Sequence, residues 1–368
     1  MSGQTLAALV TFFVGLSGLL TTASEGKYPV ITADNAEQVT LLAELPVQQL
    51  ASFAWSPDGS TLAVSSQENI YVYNLSDFSL ASTIQMGSLW KLFYRPDGTL
   101  IALRTREEHS NASARQIIQL VDVKAEKQLA ELRVDAQFIS AVALNHDRTL
   151  LALGDDQNQI QIWDLVHAKQ IGLLKGHEVP PSTLAFSDDS RFLASGAGTG
   201  DHLLFVWDVG TSSQLRLLSG NSTDFDIPAE VLAFSPDGQW LVAGTSHGDP
   251  LVRWNISALP FRTGSGEPLI SGLGSVSDLA FSPDSRLLAA VYNPPTFPTA
   301  AYIRLVDIAT GTTRLEWRVE HTPVRLSFSA NGKFLATVNE DKAAIQLWGI
   351  QPTTDCASET PSPPTCSP

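Results

Sequence analysis

LAFSPDG at residues 232–238 and LAFSPDS at residues 279–285 are two copies of one phrase. Working outward from them finds five more: FAWSPDG (53–59), LFYRPDG (92–98), VALNHDR (142–148), LAFSDDS (184–190) and LSFSANG (326–332). Their turn residues, Asp58, Asp97, Asp147, Asp189, Asp237, Asp284 and Asn331, follow one another at intervals of 39, 50, 42, 48, 47 and 47 residues. These intervals are close to the period of about 40 to 45 residues expected for a four-stranded propeller blade and too long for a leucine-rich or β-helix repeat.

The chemistry of each copy explains the period. Apolar residues at alternate positions, such as Leu184 and Phe186, place one face of a strand against a neighbour. Ser-Pro-Asp-Gly then turns the chain, with Pro fixing φ early in the turn and Gly accepting positive φ at its exit. A second strand follows, as in Phe192-Leu193-Ala194-Ser195, and a third closes on Trp163-Asp164, Trp207-Asp208, Trp254-Asn255 or Trp348-Gly349. Tyr73, Val121 and Val306 take the Trp place in the first, second and sixth copies. Outside the N-terminal run no long stretch has helical period.

The turn phrases, Gly176-His177 and the terminal Trp-Asp pairs resemble the WD40 repeat family over residues 39–350. The resemblance implies an all-β, seven-bladed propeller with four antiparallel strands per blade and a role in holding partners together. It also implies that the first strand of the chain completes the last blade. Pro352 follows the third strand of the last copy and ends pairing there, so Val39 to Leu45 is expected to pair antiparallel with Ala344 to Trp348. The domain reading is residues 1–23 a signal peptide or short anchor, 24–38 a linker, 39–350 the propeller and 351–368 a Pro-, Ser- and Thr-rich tail.

The resemblance further implies buried tetrads of Trp, Ser or Thr, His and Asp. Two blades carry the residues for one: Trp207, Ser195, His177 and Asp201, and Trp348, Thr337, His321 and Asp341. A Ser, a His and an Asp together also suggest a hydrolase, but a catalytic site occurs once and this set occurs twice, each time with a Trp indole. No catalytic residue is therefore assigned. The remaining histidines lack metal-ligand spacing, Asp155-Asp156-Gln157-Asn158 reads as a tight polar turn, and no Gly-rich loop opens a helix. No metal, nucleotide or other cofactor is expected.

A net charge of -15 disfavours nucleic acid and anionic lipid. Leu6 to Leu20 is an uncharged apolar run followed by Thr21-Thr22-Ala23, which reads as a secretory signal, although no basic residue precedes it. An uncleaved membrane anchor is the rival reading and the one route to a membrane. Cys356 and Cys366 are the two cysteines, so no disulfide framework holds the core; in an oxidising compartment they could close a small loop.

The expected function is a non-catalytic protein- or peptide-binding scaffold outside the cytoplasm, secreted, periplasmic or on the cell surface, and bacterial by analogy. The partner's identity and the oligomeric state are not readable. The alternatives are a lactonase-like propeller hydrolase, the propeller half of a serine peptidase, or a TolB-like periplasmic propeller. Long links at 104–115, 197–202, 221–230 and 292–302 are expected to crowd one rim. There Trp90, Arg104, Arg106, Phe225, Tyr292 and Phe297 are the candidate partner-binding residues, Phe225, Tyr292 and Phe297 because no buried place is evident for them and Trp90 because it opens the first strand of the second blade at the same mouth.

Overall fold

A computed structural model describes residues 28–47, 50–66, 68–87, 91–109, 114–198, 201, 203–218, 229–245, 251–257, 266–272, 274–294, 301–319, 325–339 and 344–352. Their strands form seven four-stranded antiparallel sheets, with one three-residue 3-10 turn at Ala36–Gln38 before them. Six blades are built from four consecutive strands. The innermost strand of each blade begins a repeated phrase: Ser52–Trp55, Lys91–Tyr94, Ile139–Leu144, Thr183–Phe186, Val231–Phe234, Ser275–Phe281 and Arg325–Phe328. Neighbouring innermost strands pack on one another and enclose a central channel.

The last blade takes its outer strand from the beginning of the chain. Val39–Pro46 pairs antiparallel with Ala344–Ile350, from Val39 opposite Ile350 to Pro46 opposite Ala344, with a bulge between Leu41 and Ala43. Leu45 and Val47 are thereby buried with Leu347, Ile345 and Phe334 of blade seven and Leu62 and Val64 of blade one. Closing the ring this way removes two open sheet edges.

Hydroxyls and carboxylates build the turns. In blade one the Ser56 hydroxyl donates to Asp58 Oδ1 at 2.6 Å and accepts the Thr61 N–H at 2.9 Å, while Ser60 N–H donates to the same carboxylate oxygen at 3.0 Å. These bonds, the Ser56 hydroxyl first, hold Asp58 below the usual carboxylate range. Gly59 sits at φ +66°, and a Cβ there would run into the Asn331 side chain, which donates to the Gly59 carbonyl at 3.1 Å. The turns of blades seven and one are thus locked together. Positive φ at this turn position does not require glycine, since Arg148, Ser190 and Ser285 adopt it too.

Residues 24–38 read as a linker, but their described part, 28–38, is packed. Ile31, Ala33 and Ala36 are buried in the core of blades six and seven, and Ile31 N–H donates to the Gly332 carbonyl at 2.8 Å. Tyr28 lies against Phe78 and Phe334, with ring centroids 5.6 and 5.1 Å away. Three spaced apolar residues were too few to mark this stretch as structured. It covers part of the rim that carries the first turn of each blade.

Candidate functional site

The two rims differ because strand direction alternates. Turns between first and second strands, and between third and fourth, lie on one rim; links from second to third strands, and from each blade to the next, lie on the other. The second rim is the candidate face, and a buried polar network supports it in blade four.

Blade four forms a complete relay. Trp207 Nε1–H donates to Ser195 Oγ at 2.8 Å, Ser195 and His177 Nε2 are 2.8 Å apart, and His177 Nδ1 lies 2.8 Å from Asp201 Oδ2. Asp201 can only accept, so Nδ1 carries the proton and Nε2 accepts the Ser195 hydroxyl. Asp201 also accepts the N–H groups of Glu178 and Leu203, both at 3.0 Å. Burial lowers the His177 pKa, outweighing the opposing effect of Asp201, so the imidazole is neutral at neutral pH. The side chains of His177 and Asp201 are 1 % and 0 % exposed, and Ser195 is fully buried. Its hydroxyl is closed to substrate, so this Ser-His-Asp set ties a blade to its loops and offers no nucleophile.

In blade seven Trp348 Nε1–H donates to Thr337 Oγ1 at 2.9 Å, while His321 and Asp341 lie outside the described residues. Blade three carries a variant. Leu153 stands where blade four has Ser195, and Gln161 where it has Phe205, so Trp163 donates to Gln161 Oε1 at 3.2 Å and Gln161 to Asp155 Oδ2 at 2.9 Å. Asp155 also accepts Gln157 and Gln159 N–H groups, which makes 155–158 a tight polar turn. Blade five has Ala243 in the Ser195 place, and Trp254 Nε1 is buried without a partner among the described residues.

The candidate rim residues are placed differently from expectation. Tyr292 is not a loop aromatic: its strand runs to Asn293, it is 4 % exposed, and it stacks on Tyr302 with centroids 5.7 Å apart. Its hydroxyl donates to Glu316 Oε2 at 2.7 Å and accepts from Arg304 at 3.0 Å. Burial, then Glu316, push its pKa up to about 12. The described residues of the stretch 104–115 are strand and not loop, with strands Leu100–His109 and Ala114–Asp122 paired as far as His109 opposite Ala114. Half-buried Arg104 is spent on the Met86 carbonyl, whereas Arg106 is exposed. Trp90, Phe225 and Phe297 lie outside the described residues.

Four residues of this face were missed. Phe138 is 51 % exposed in the link before the innermost strand of blade three. The link is held rigidly: Gln137 N–H donates to Asp156 Oδ1 at 2.8 Å, and Gln116 donates to the Gln137 carbonyl at 2.8 Å. Lys91, Asp278 and Arg325 line the central channel together with Ile139, Ser140 and Thr183, around a cavity of about 480 Å³. Lys91, Asp278 and Arg325 each stand one position before the repeated phrase, where the sequence alone does not show that they face a common space. Among the described residues no group of His, Cys, Asp and Glu side chains is arranged to hold a metal, and no helix is long and apolar enough to cross a membrane.

The family model for the WD domain, G-beta repeat, matches residues 168–208 and 213–253. Each match starts in the outer strand of one blade and ends in the third strand of the next, so the sequence repeat straddles the blade boundary. Over 204 residues, 52 % of its length, the chain is 25 % identical to Protein FIZZY-RELATED 3 of Arabidopsis thaliana, covering 39 % of that protein. It is 22 % identical over 302 residues, 79 % of its length, to WD repeat-containing protein slp1 of Schizosaccharomyces pombe, covering 56 % of it. An uncharacterized WD repeat-containing protein of Synechocystis is 27 % identical over 177 residues, 48 % of this chain and 46 % of that one. The matches thus span less than two thirds of each of these relatives.

Proposed function

We propose that the protein is a non-catalytic platform that binds a protein or peptide across the channel mouth on the link-bearing rim, and that it acts outside the cytoplasm. The observation that carries the reading is the asymmetry of the two rims. One presents exposed Phe138, exposed Arg106 and the charged channel lining, while residues 28–38 cover part of the other beside blades six, seven and one. Aromatic and Arg side chains on a rigid scaffold are favoured interface anchors. The WD repeat relatives support a scaffold role, and the closed Ser195 relay supports a non-catalytic one. Export rests on the apolar run at residues 6–20, and a bacterial source on analogy of the repeats.

The test is affinity capture from the source organism with the full chain, read by mass spectrometry, alongside a variant replacing Trp90, Arg106, Phe138, Phe225 and Phe297 by Ser. Arg104 is left intact because it holds the Met86 carbonyl. The variant is expected to keep its melting temperature and lose the chief partner. Retained capture, with loss on replacing Asp58 and Asp237 on the opposite rim, would reject this face. Fractionation of the tagged chain tests its location.

A further inference from the structure

The residue immediately before the repeated phrase is Ser52, Lys91, Ala141, Thr183, Val231, Asp278 and Arg325 in blades one to seven. Equivalent positions on seven equivalent strands form a ring at one height of the channel. Its members in blades two, three, four, six and seven line one cavity. Three are charged, and they do different work.

Asp278 is already occupied. Its Oδ2 accepts the N–H of Leu326 in the next blade at 2.7 Å, and its Oδ1 accepts the N–H of Leu279 at 2.9 Å. Ser52 does the same between blades one and two, its Oγ accepting the Leu92 N–H at 3.1 Å. Lys91 and Arg325, on either side of blade one, have no carboxylate within ion-pair distance among the described residues. Burial, then the nearby Arg325 and Arg148, pull the Lys91 ammonium down to about 8, against the opposing pull of Asp278. Half-buried Lys91 and exposed Arg325 thus share a cavity with a single carboxylate that faces backbone donors, in a chain of net charge -15. An unpaired cation held away from water is costly unless a counter-charge arrives.

We propose that the channel mouth holds an oxyanionic side chain, a carboxylate or a phosphorylated hydroxyl, presented by an extended polypeptide lying over the rim, with Lys91 and Arg325 as its two contacts. This deepens the platform reading and rests on it for the carrier of the anion. Arg325, exposed at the mouth, meets the anion first and offers a planar fork of donors; half-buried Lys91 receives it as a point charge. Phe138, beside the same mouth, covers an apolar neighbour in the bound segment.

The test uses the full chain and two fluorescein-labelled peptides of one Gly- and Leu-containing sequence, with either two Glu residues or one phosphoserine, followed by anisotropy at low salt. Saturable binding is expected, weakened at least tenfold in Lys91→Met and in Arg325→Gln, with circular dichroism unchanged. Arg286→Gln, on the opposite rim, should bind as wild type. Binding of the phosphopeptide alone assigns the site to phosphate, and binding of both assigns it to oxyanions in general. Absence of saturable binding, or equal binding by both channel variants, overturns the proposal. In that event partner capture that still depends on Phe138 leaves the platform standing, so the two failures are distinguishable.

Discussion

Asp278 of blade six reaches across a blade boundary to accept the Leu326 N–H of blade seven at 2.7 Å, making one carboxylate both a channel lining and an inter-blade clip. Burial raises its pKa to about 6, although both backbone donors and the nearby Arg325 and Lys91 oppose the shift. The folded state therefore holds the proton more tightly than the unfolded chain, where Asp titrates near 4. Its contribution is present in full below about 4 and is lost as pH rises through about 6. Urea midpoints measured from pH 4 to 7 should show this downward component, and Asp278→Asn should remove it. An unchanged pH profile in the variant would reject the assignment.

The buried relay of blade four predicts a large effect from a small change. Asp201→Ala leaves the buried His177 side chain without the acceptor of its Nδ1–H and also removes the acceptor of the Glu178 and Leu203 N–H groups, at a cost of about 1 to 3 kcal/mol. His177, with its pKa lowered, contributes the opposite pH component to Asp278: stability present above about 6.5 and lost as pH falls below it. Denaturant melts of Asp201→Ala should show the loss at pH 7, and a wild-type midpoint would mean the network is not what holds these loops.

Blade five offers the converse experiment. Trp254 Nε1 is buried and unpartnered, and the position that supplies an acceptor in blade four is Ala243. Ala243→Ser places a hydroxyl there and should raise stability by about 1 kcal/mol if it pairs with the indole. The same change in a Trp254→Phe background should give no gain. Equal effects in both backgrounds would show that the hydroxyl finds another partner.

Closure of the ring is tested by a matched pair in its outer strand. Leu45 is 3 % exposed between blades seven and one, whereas Leu41 on the same strand is 40 % exposed. Leu45→Ala should cost about 2 to 4 kcal/mol, and Leu41→Ala well under 1. Deleting residues 39–46 should abolish a cooperative thermal transition; a truncated chain that melts as wild type would show that the strand is dispensable.

The repeat was legible because its signals are local: Ser-Pro-Asp-Gly sets a turn, and alternation sets the strands beside it. The partner strand for Ala344–Ile350 could be found because one unassigned apolar segment matched one unpaired edge. Tyr292 was misread because the end of a strand cannot be read from a polar neighbour; its burial depends on Tyr302 and Glu316, 10 and 24 residues later. The channel ring escaped notice for a related reason. Lys91, Asp278 and Arg325 stand one residue before the phrase, and only assembly of the seven strands shows that the position faces a common space. The relay in blade three was hidden by a compensating exchange, Leu153 for Ser and Gln161 for Phe, which no single position announces.

Val39 lies opposite Ile350, and Tyr28 rests on Phe334 and Phe78, so the chain enters the ring and leaves it on the same rim. That rim is the one away from the channel mouth. Whatever is joined to the propeller through the residues before Tyr28 or after Pro352, be it a tether, a tag or a further domain, therefore starts from the back of the disc. A sensor surface coupled to either end would present the mouth to solution, whereas coupling at exposed Arg106 would turn it toward the support.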